Sequence, residues 1–180
     1  MTDSRLRALL HERSLTRGDF TLASGRRSSF YIDARRTTMS GEGQVLIGAL
    51  GLAALRARGW TPRAVGGLTL GADPVAYALA HAARNAGVAL DAFTVRKTAK
   101  THGTGRRIEG CFEPGDAVVV IEDVITTGQS ALEAIAVLRE AQARVLGVLA
   151  VVDREAGGRA AIEAAGHAVA ALVSVSDLGV

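Results

Sequence analysis

Two stretches of this chain, Ala117 to Ile121 and Val145 to Val152, carry no polar side chain at any position. Successive side chains of a strand point to opposite faces. A strand with no polar alternation must therefore be covered on both sides, as in a parallel sheet packed between helices. The segments around these two runs fit that frame. Thr2 to Arg13 reads as a helix with Leu6, Leu9 and Leu10 on one face, and Gln129 to Ala141 as a helix with Leu132, Ile135 and Leu138 along one side. Ser40 to Arg58, ended by Gly59, Pro74 to Asn85, followed by Gly87, and Gly158 to Ala165 read as further helices. Ala64 to Gly67, Leu90 to Arg96 and Ala168 to Val175 read as strands. Phe20 to Leu22 and Phe30 to Asp33 read as short strands around Ser24-Gly25-Arg26-Arg27. Lys97 to Gly110 is basic, rich in glycine and without apolar periodicity, so it reads as a loop. Strand, helix, strand order gives right-handed crossovers and predicts a three-layer α/β fold with a central parallel sheet. Ligands bind such sheets at the carboxyl ends of the strands.

The 180 residues suit one domain with one sizeable core. Aromatics are only 4%, so Ala, Val, Leu and Ile must fill that core, which favours helices on a sheet over an aromatic-rich sandwich. The net charge of +3 is too small to point to nucleic acid, but it suits anionic small substrates if the basic residues cluster. Cys111 stands alone, which excludes an internal disulfide and a multi-cysteine zinc site, and it reads as a small semi-buried side chain. No apolar run approaches the ~20 residues needed to span a bilayer, and the N-terminus has no signal-peptide core. The expectation is a cytoplasmic protein with no membrane partner. His11, His81 and His167 read as helical or surface residues without a role.

The most informative segment is Val118-Val119-Val120-Ile121-Glu122-Asp123-Val124-Ile125-Thr126-Thr127-Gly128-Gln129-Ser130. An apolar strand ends in two carboxylates, a Thr-Thr-Gly turn follows, and a helix begins. A helix N-terminus presents free backbone N–H groups that bind anions. Thr126, Thr127 and Ser130 add hydroxyl donors, and Gly128 lets the backbone approach a phosphate closely. Glu122 and Asp123 repel phosphate, so they must face something else; ribose hydroxyls and a hydrated Mg²⁺ are natural partners. No Walker loop and no dinucleotide fingerprint occurs. The bland alternative is a capped helix after a buried strand, with solvated acids.

A second cluster is Arg96-Lys97-Thr98-Ala99-Lys100-Thr101-His102-Gly103. It follows a strand and is flanked by glycines at 103, 105 and 110. Lysines and a protonated histidine brought over a departing diphosphate would stabilise its growing charge, and a closing lid would exclude water. Alone, the cluster also fits a solvated loop or a nonspecific nucleic-acid patch.

The acidic strand end with its Thr-Thr-Gly turn resembles the signature with which type I phosphoribosyltransferases bind phosphoribosyl diphosphate (PRPP). The R-K-x-x-K-x-H-G spacing resembles the catalytic loop of the orotate phosphoribosyltransferases in particular. Phe20-Thr21-Leu22-Ala23-Ser24-Gly25 with Ser28 to Tyr31 is similar to their hood over the base, and Val152-Asp153-Arg154 to the segment that carries their orotate-contacting arginine. The resemblance runs from about Phe20 to Gly157.

It implies a type I phosphoribosyltransferase-like fold over residues 1–180, with a small hood formed mainly by about residues 1–35. It implies PRPP binding by Arg96, Lys97, Lys100, His102 and Glu122 through Ser130, including Val124, Ile125 and Gln129. Lys100, His102 and Asp123 are then the catalytic residues, and Thr126 and Arg154 contact orotate. Mg²⁺ is held by PRPP, with no direct protein ligand and a possible water bridge to Asp123. The products are orotidine 5′-phosphate and diphosphate, in pyrimidine (UMP) biosynthesis. The enzyme is a homodimer with shared active sites, in which Lys97, Lys100 and His102 reach into the neighbour, and nucleic acid is not a partner. Two departures stand out: many relatives carry lysine where this chain has Ala23 and Leu70. Arg26, Arg27 and Arg35 are candidates to compensate. A purine-salvage phosphoribosyltransferase and a PRPP-sensing RNA-binding regulator of the same fold are the competing readings.

Overall fold

The computed structural model describes residues 2–21, 27–98 and 107–180. Helix α1 (Thr2–Arg13) leads into a hairpin of β1 (Leu15–Thr21) and β2 (Arg27–Ile32), followed by a short helix α2 (Arg35–Thr38). Then come α3 (Gly41–Ala57), β3 (Ala64–Leu68), α4 (Ala72–Asn85), β4 (Asp91–Val95), β5 (Ile108–Gly110) and β6 (Ala117–Ile125). The chain continues through α5 (Gln129–Glu140), β7 (Arg144–Asp153), α6 (Gly158–Ala164) and β8 (Val169–Ser174), and ends in a 3₁₀ turn (Ser176–Leu178).

The main sheet has the order β5-β4-β3-β6-β7-β8, with every pairing parallel except the edge strand β5. The unalternated runs behave as expected. In β6 and β7, Val119, Ile121, Leu149 and Val151 join one core with α1, α3 and α4. Val118, Val120, Val148 and Ala150 join the other, beneath α5 and α6. All eight are essentially inaccessible to solvent, and burying each such side chain is worth about 1.5–3 kcal/mol for the larger ones. The predicted face of α1 is also correct, since Leu6, Leu9 and Leu10 are fully buried.

Several details differ from the sequence reading. The hairpin strands are longer than expected, and α2 has no apolar period to announce it. The segment taken as loop to Gly110 contains β5, which pairs antiparallel with β4; three residues are too few to display a period. Strand β6 runs on to Ile125, so the two carboxylates do not end it and Val124 and Ile125 also belong to the sheet ladder. Cys111 is exposed, not semi-buried. His167 is buried, not at the surface, and burial pushes its pKa down.

Candidate active site

The two carboxylates are separated by strand geometry. Alternation along β6 continues through Ile121, so Asp123 emerges toward α4 and Glu122 toward α5. Asp123 lies so close to the loop before α4 that a Cβ added to Gly71 would sit 2.7 Å from its Cγ. A side chain at residue 71 would force that carboxylate to shift. Glu122 is buried, and its Oε1 has no hydrogen-bond partner among the described residues. The turn that follows needs glycine too. Gly128 caps α5 with φ 81°, in the left-handed region, and a Cβ there would lie 2.7 Å from the Gly158 carbonyl oxygen. Glu122 and residues Val124 to Ser130 enclose a recess of about 80 Å³. The first-turn N–H groups of α5 have no intrahelical partners; Gln129 and Ser130 line the recess, and the Gln129 N–H donates to Thr127 Oγ1 at 3.4 Å.

A cleft of about 390 Å³ opens beside it at the carboxyl ends of the strands. Glu122, Asp123, Val124, Thr126 and Ser130 line one wall, and Tyr31 to Arg35 another. Leu68 to Ala72, Lys97 and Arg154 complete it. Arg154 binds the hairpin to the sheet: its Nη2 donates to Ser28 Oγ at 3.1 Å and to the Phe30 carbonyl at 3.4 Å, and its guanidinium lies 5.0 Å from the Phe30 ring centre. Its own N–H donates to the Ile125 carbonyl. Ile125 itself is core, 1% exposed.

The other predicted residues are distributed unevenly. Thr127, Gly128 and Gln129 line the small recess and not the larger cleft. Lys97 lines the cleft of its own chain. Arg96 does not; it pairs with Glu109 across β4 and β5 at 3.1 Å and faces an adjoining cavity of about 660 Å³. Lys100 and His102 lie outside the described residues, as do Ala23 and the turn Ser24-Gly25-Arg26. Of the proposed compensating cations, Arg27 pairs with Asp19 and is largely exposed, whereas Arg35 lines the cleft with Leu70 and Asp123. Arg35 is held by Asp33, whose Oδ1 accepts from its Nε at 2.8 Å. Sequence reasoning gave the side chains of Asp33 and Asp73 no role. Asp33 lines this cleft and Asp73 the adjoining cavity; their segments have the local pattern of a strand end and a helix start, with no signal of either placement.

The electrostatics are unusual for two adjacent acids. Burial, with the Asp123 charge adding to it, pushes the pKa of Glu122 up to about 8. Asp123 is also raised by burial, against the Val124 N–H that donates to its Oδ1 and the positive charge of Arg35. A carboxyl raised in the folded chain is tolerated best while it is neutral. In the unfolded chain it ionises near the ordinary value of about 4.3. The contribution of Glu122 is thus fully favourable below that value and is lost as pH rises to about 8. Glu122→Gln should therefore melt with the wild type near pH 4, and several degrees above it near pH 8. Parallel melting curves at all pH values would mean that Glu122 is ionised in the folded protein.

No family model matches the chain. Curated relatives do. The chain is 47% identical over 176 residues to the orotate phosphoribosyltransferase of Corynebacterium glutamicum, covering 98% of this chain and 93% of that protein. It is 45% identical over 177 residues to that of Aquifex aeolicus, covering 97% and 96%. The chain belongs to the orotate phosphoribosyltransferase family. Among solved structures, the Mycobacterium tuberculosis orotate phosphoribosyltransferase in complex with Fe(III) dicitrate matches with a TM-score of 0.89 and 43% identity, over 100% of both chains. The same enzyme in complex with PRPP matches with a TM-score of 0.85 and 40% identity, again over 100% of both. The fold is accordingly that of the type I phosphoribosyltransferases, pentosyltransferase enzymes, and the sequence expectation of fold and family was correct.

Proposed function

We infer that this protein transfers the phosphoribosyl group of PRPP to orotate, giving orotidine 5′-phosphate and diphosphate in pyrimidine (UMP) biosynthesis. The observation that carries the reading is the cleft itself. A helix N-terminus suited to a phosphate, a carboxylate suited to ribose hydroxyls, and two cations, Arg35 and Lys97, meet Arg154 beneath the hairpin. In this reading the recess of Thr126 to Ser130 takes the 5′-phosphate, and Asp123 receives the ribose hydroxyls. Orotate lies against Arg154 and Thr126, under Phe30 and Tyr31. Its ring nitrogen attacks C1 as the diphosphate leaves. Arg35 supplies positive charge beside Leu70, where the loop has none. Lys97 acts within its own subunit, and Lys100 and His102 come from the partner of a homodimer. A cytoplasmic location goes with this substrate pair.

Mg²⁺ fits the donor set modestly. Among the described residues no cluster of three or more metal-binding side chains exists, while Asp123 offers a hard carboxylate in the cleft. The ion would then ride on the PRPP oxygens with Asp123 beyond a water, and would neutralise diphosphate charge when bound.

The test is a turnover assay with PRPP, Mg²⁺ and a panel of free bases. Orotate should be consumed much faster than adenine, hypoxanthine or uracil. Equal or better use of a purine would support the salvage reading, and turnover of no base at all the regulatory one.

A further inference from the structure

The buried carboxylate of Asp73 is outside the proposed chemistry, yet it joins two elements of the cleft. It stands in the first turn of α4 and is only 9% exposed. Its Oδ2 accepts from Thr69 Oγ1 at 2.7 Å, and its Oδ1 accepts from Thr94 Oγ1 at 2.9 Å. Tyr77, one helical turn on, places its hydroxyl 3.3 Å from Thr94 Oγ1. Two backbone bonds run in parallel: Thr69 N–H donates to the Val95 carbonyl at 2.9 Å, and Asp73 N–H to the Leu70 carbonyl at 3.3 Å. Thr69 opens the loop that lines the cleft through Ala72, and Thr94 precedes Lys97 by three residues at the end of β4.

We propose that Asp73 is a positioning residue for PRPP, bracing the loop Thr69–Gly71 against the end of β4 through the hydroxyls of Thr69 and Thr94 so that the backbone N–H groups of Leu70 and Gly71 meet the diphosphate. The inference rests on the PRPP-dependent reading above. A negative charge behind a diphosphate site is unfavourable by itself. Both of its oxygens are instead engaged by neutral donors, which fixes the loop while turning the charge from the cleft. Leu70 offers no cation, so at this wall the backbone dipoles of the loop share the diphosphate with Arg35 and must point correctly. Small misplacements of a binding group are costly in such a site.

The test compares Asp73→Ala with Asp73→Asn. Asparagine keeps an acceptor for Thr69 and can donate to Thr94, so it preserves the brace without the charge. Asp73→Ala should raise the KM for PRPP and the Kd for inorganic diphosphate about 10-fold or more. The KM for orotate at saturating PRPP should stay within about 2-fold of wild type, and Asp73→Asn should restore most of the PRPP affinity. If Asp73→Ala does not fold, Thr69→Val should show the same selective loss at smaller size, with Thr69→Ser restoring it. The proposal is overturned if PRPP binds Asp73→Ala as tightly as wild type or tighter, which is what charge repulsion alone predicts. It is overturned equally if Asp73→Asn is as impaired as Asp73→Ala, or if PRPP and orotate affinities fall together with the melting temperature. Failure of the wild type to bind PRPP would instead remove the functional reading beneath it.

Discussion

Mixing Lys100→Ala subunits with Asp123→Asn subunits should return about a quarter of wild-type activity, although each variant alone is nearly inactive. Asp123 sits at a strand end, half-buried in the cleft, and its replacement by the isosteric amide opens no cavity. The expected loss is therefore in rate and not in folding, about 10²-fold or more, the size seen when one preorganised electrostatic group is removed. If Lys100 acts on the partner's site, a mixed dimer collects both defects in one site and leaves the other intact. Random exchange makes about half the dimers mixed, each with one working site of two. The placement of Lys97 supplies a control. Because Lys97 lines its own chain's cleft, Lys97→Ala mixed with Asp123→Asn should recover nothing, every site keeping one defect. Activity measured after exchange, with mixed dimers verified by native mass spectrometry, separates the models. No recovery in the Lys100 mixture rules out the shared site. Recovery in the Lys97 mixture shows that Lys97 also crosses the interface.

Arg154→Ala should lower kcat/KM for orotate by about 30- to 5,000-fold, corresponding to the ~2–5 kcal/mol typical of truncating one partner of a desolvated charge pair. Uracil lacks the carboxylate, so the wild type should reject it by several kcal/mol, about 10³-fold or more, because its complex forgoes the charge-assisted bond to Arg154. In Arg154→Ala that discrimination should collapse, because orotate loses its cation while uracil never had one to use. Arg154 also holds Ser28 and Phe30, which gives the experiment a second possible outcome. If orotate and uracil turnover fall by the same factor, the arginine serves the hairpin and not the base. Competition assays with both bases at one enzyme concentration read the ratio directly.

The primary structure by itself determined the sheet. Ala117 to Ile121 and Val145 to Val152 can be satisfied only between two helical layers, and no tertiary information is needed to see it. The anion-binding turn is equally local, because glycine at 128, the hydroxyls beside it and a helix start are all contiguous in sequence. Tertiary structure decided how the pieces converge. Arg35 reaches the cleft on α2, a four-residue helix too short to carry a period, with Asp33 just ahead of it, and Asp73 acquires its meaning only when β4 brings Thr94 beside it. The separation of Glu122 from Asp123 follows from the extension of β6 beyond its apolar run, where a polar residue in the ladder looks the same in sequence as one in a turn. Likewise Arg96 and Lys97 form one basic cluster on paper. In the fold, Arg96 is held by Glu109 of β5 and lines only the adjoining cavity, whereas Lys97 lines both that cavity and the cleft. Contacts between residues distant in the chain leave no periodic trace, so they appear only once the sheet has set the strands side by side.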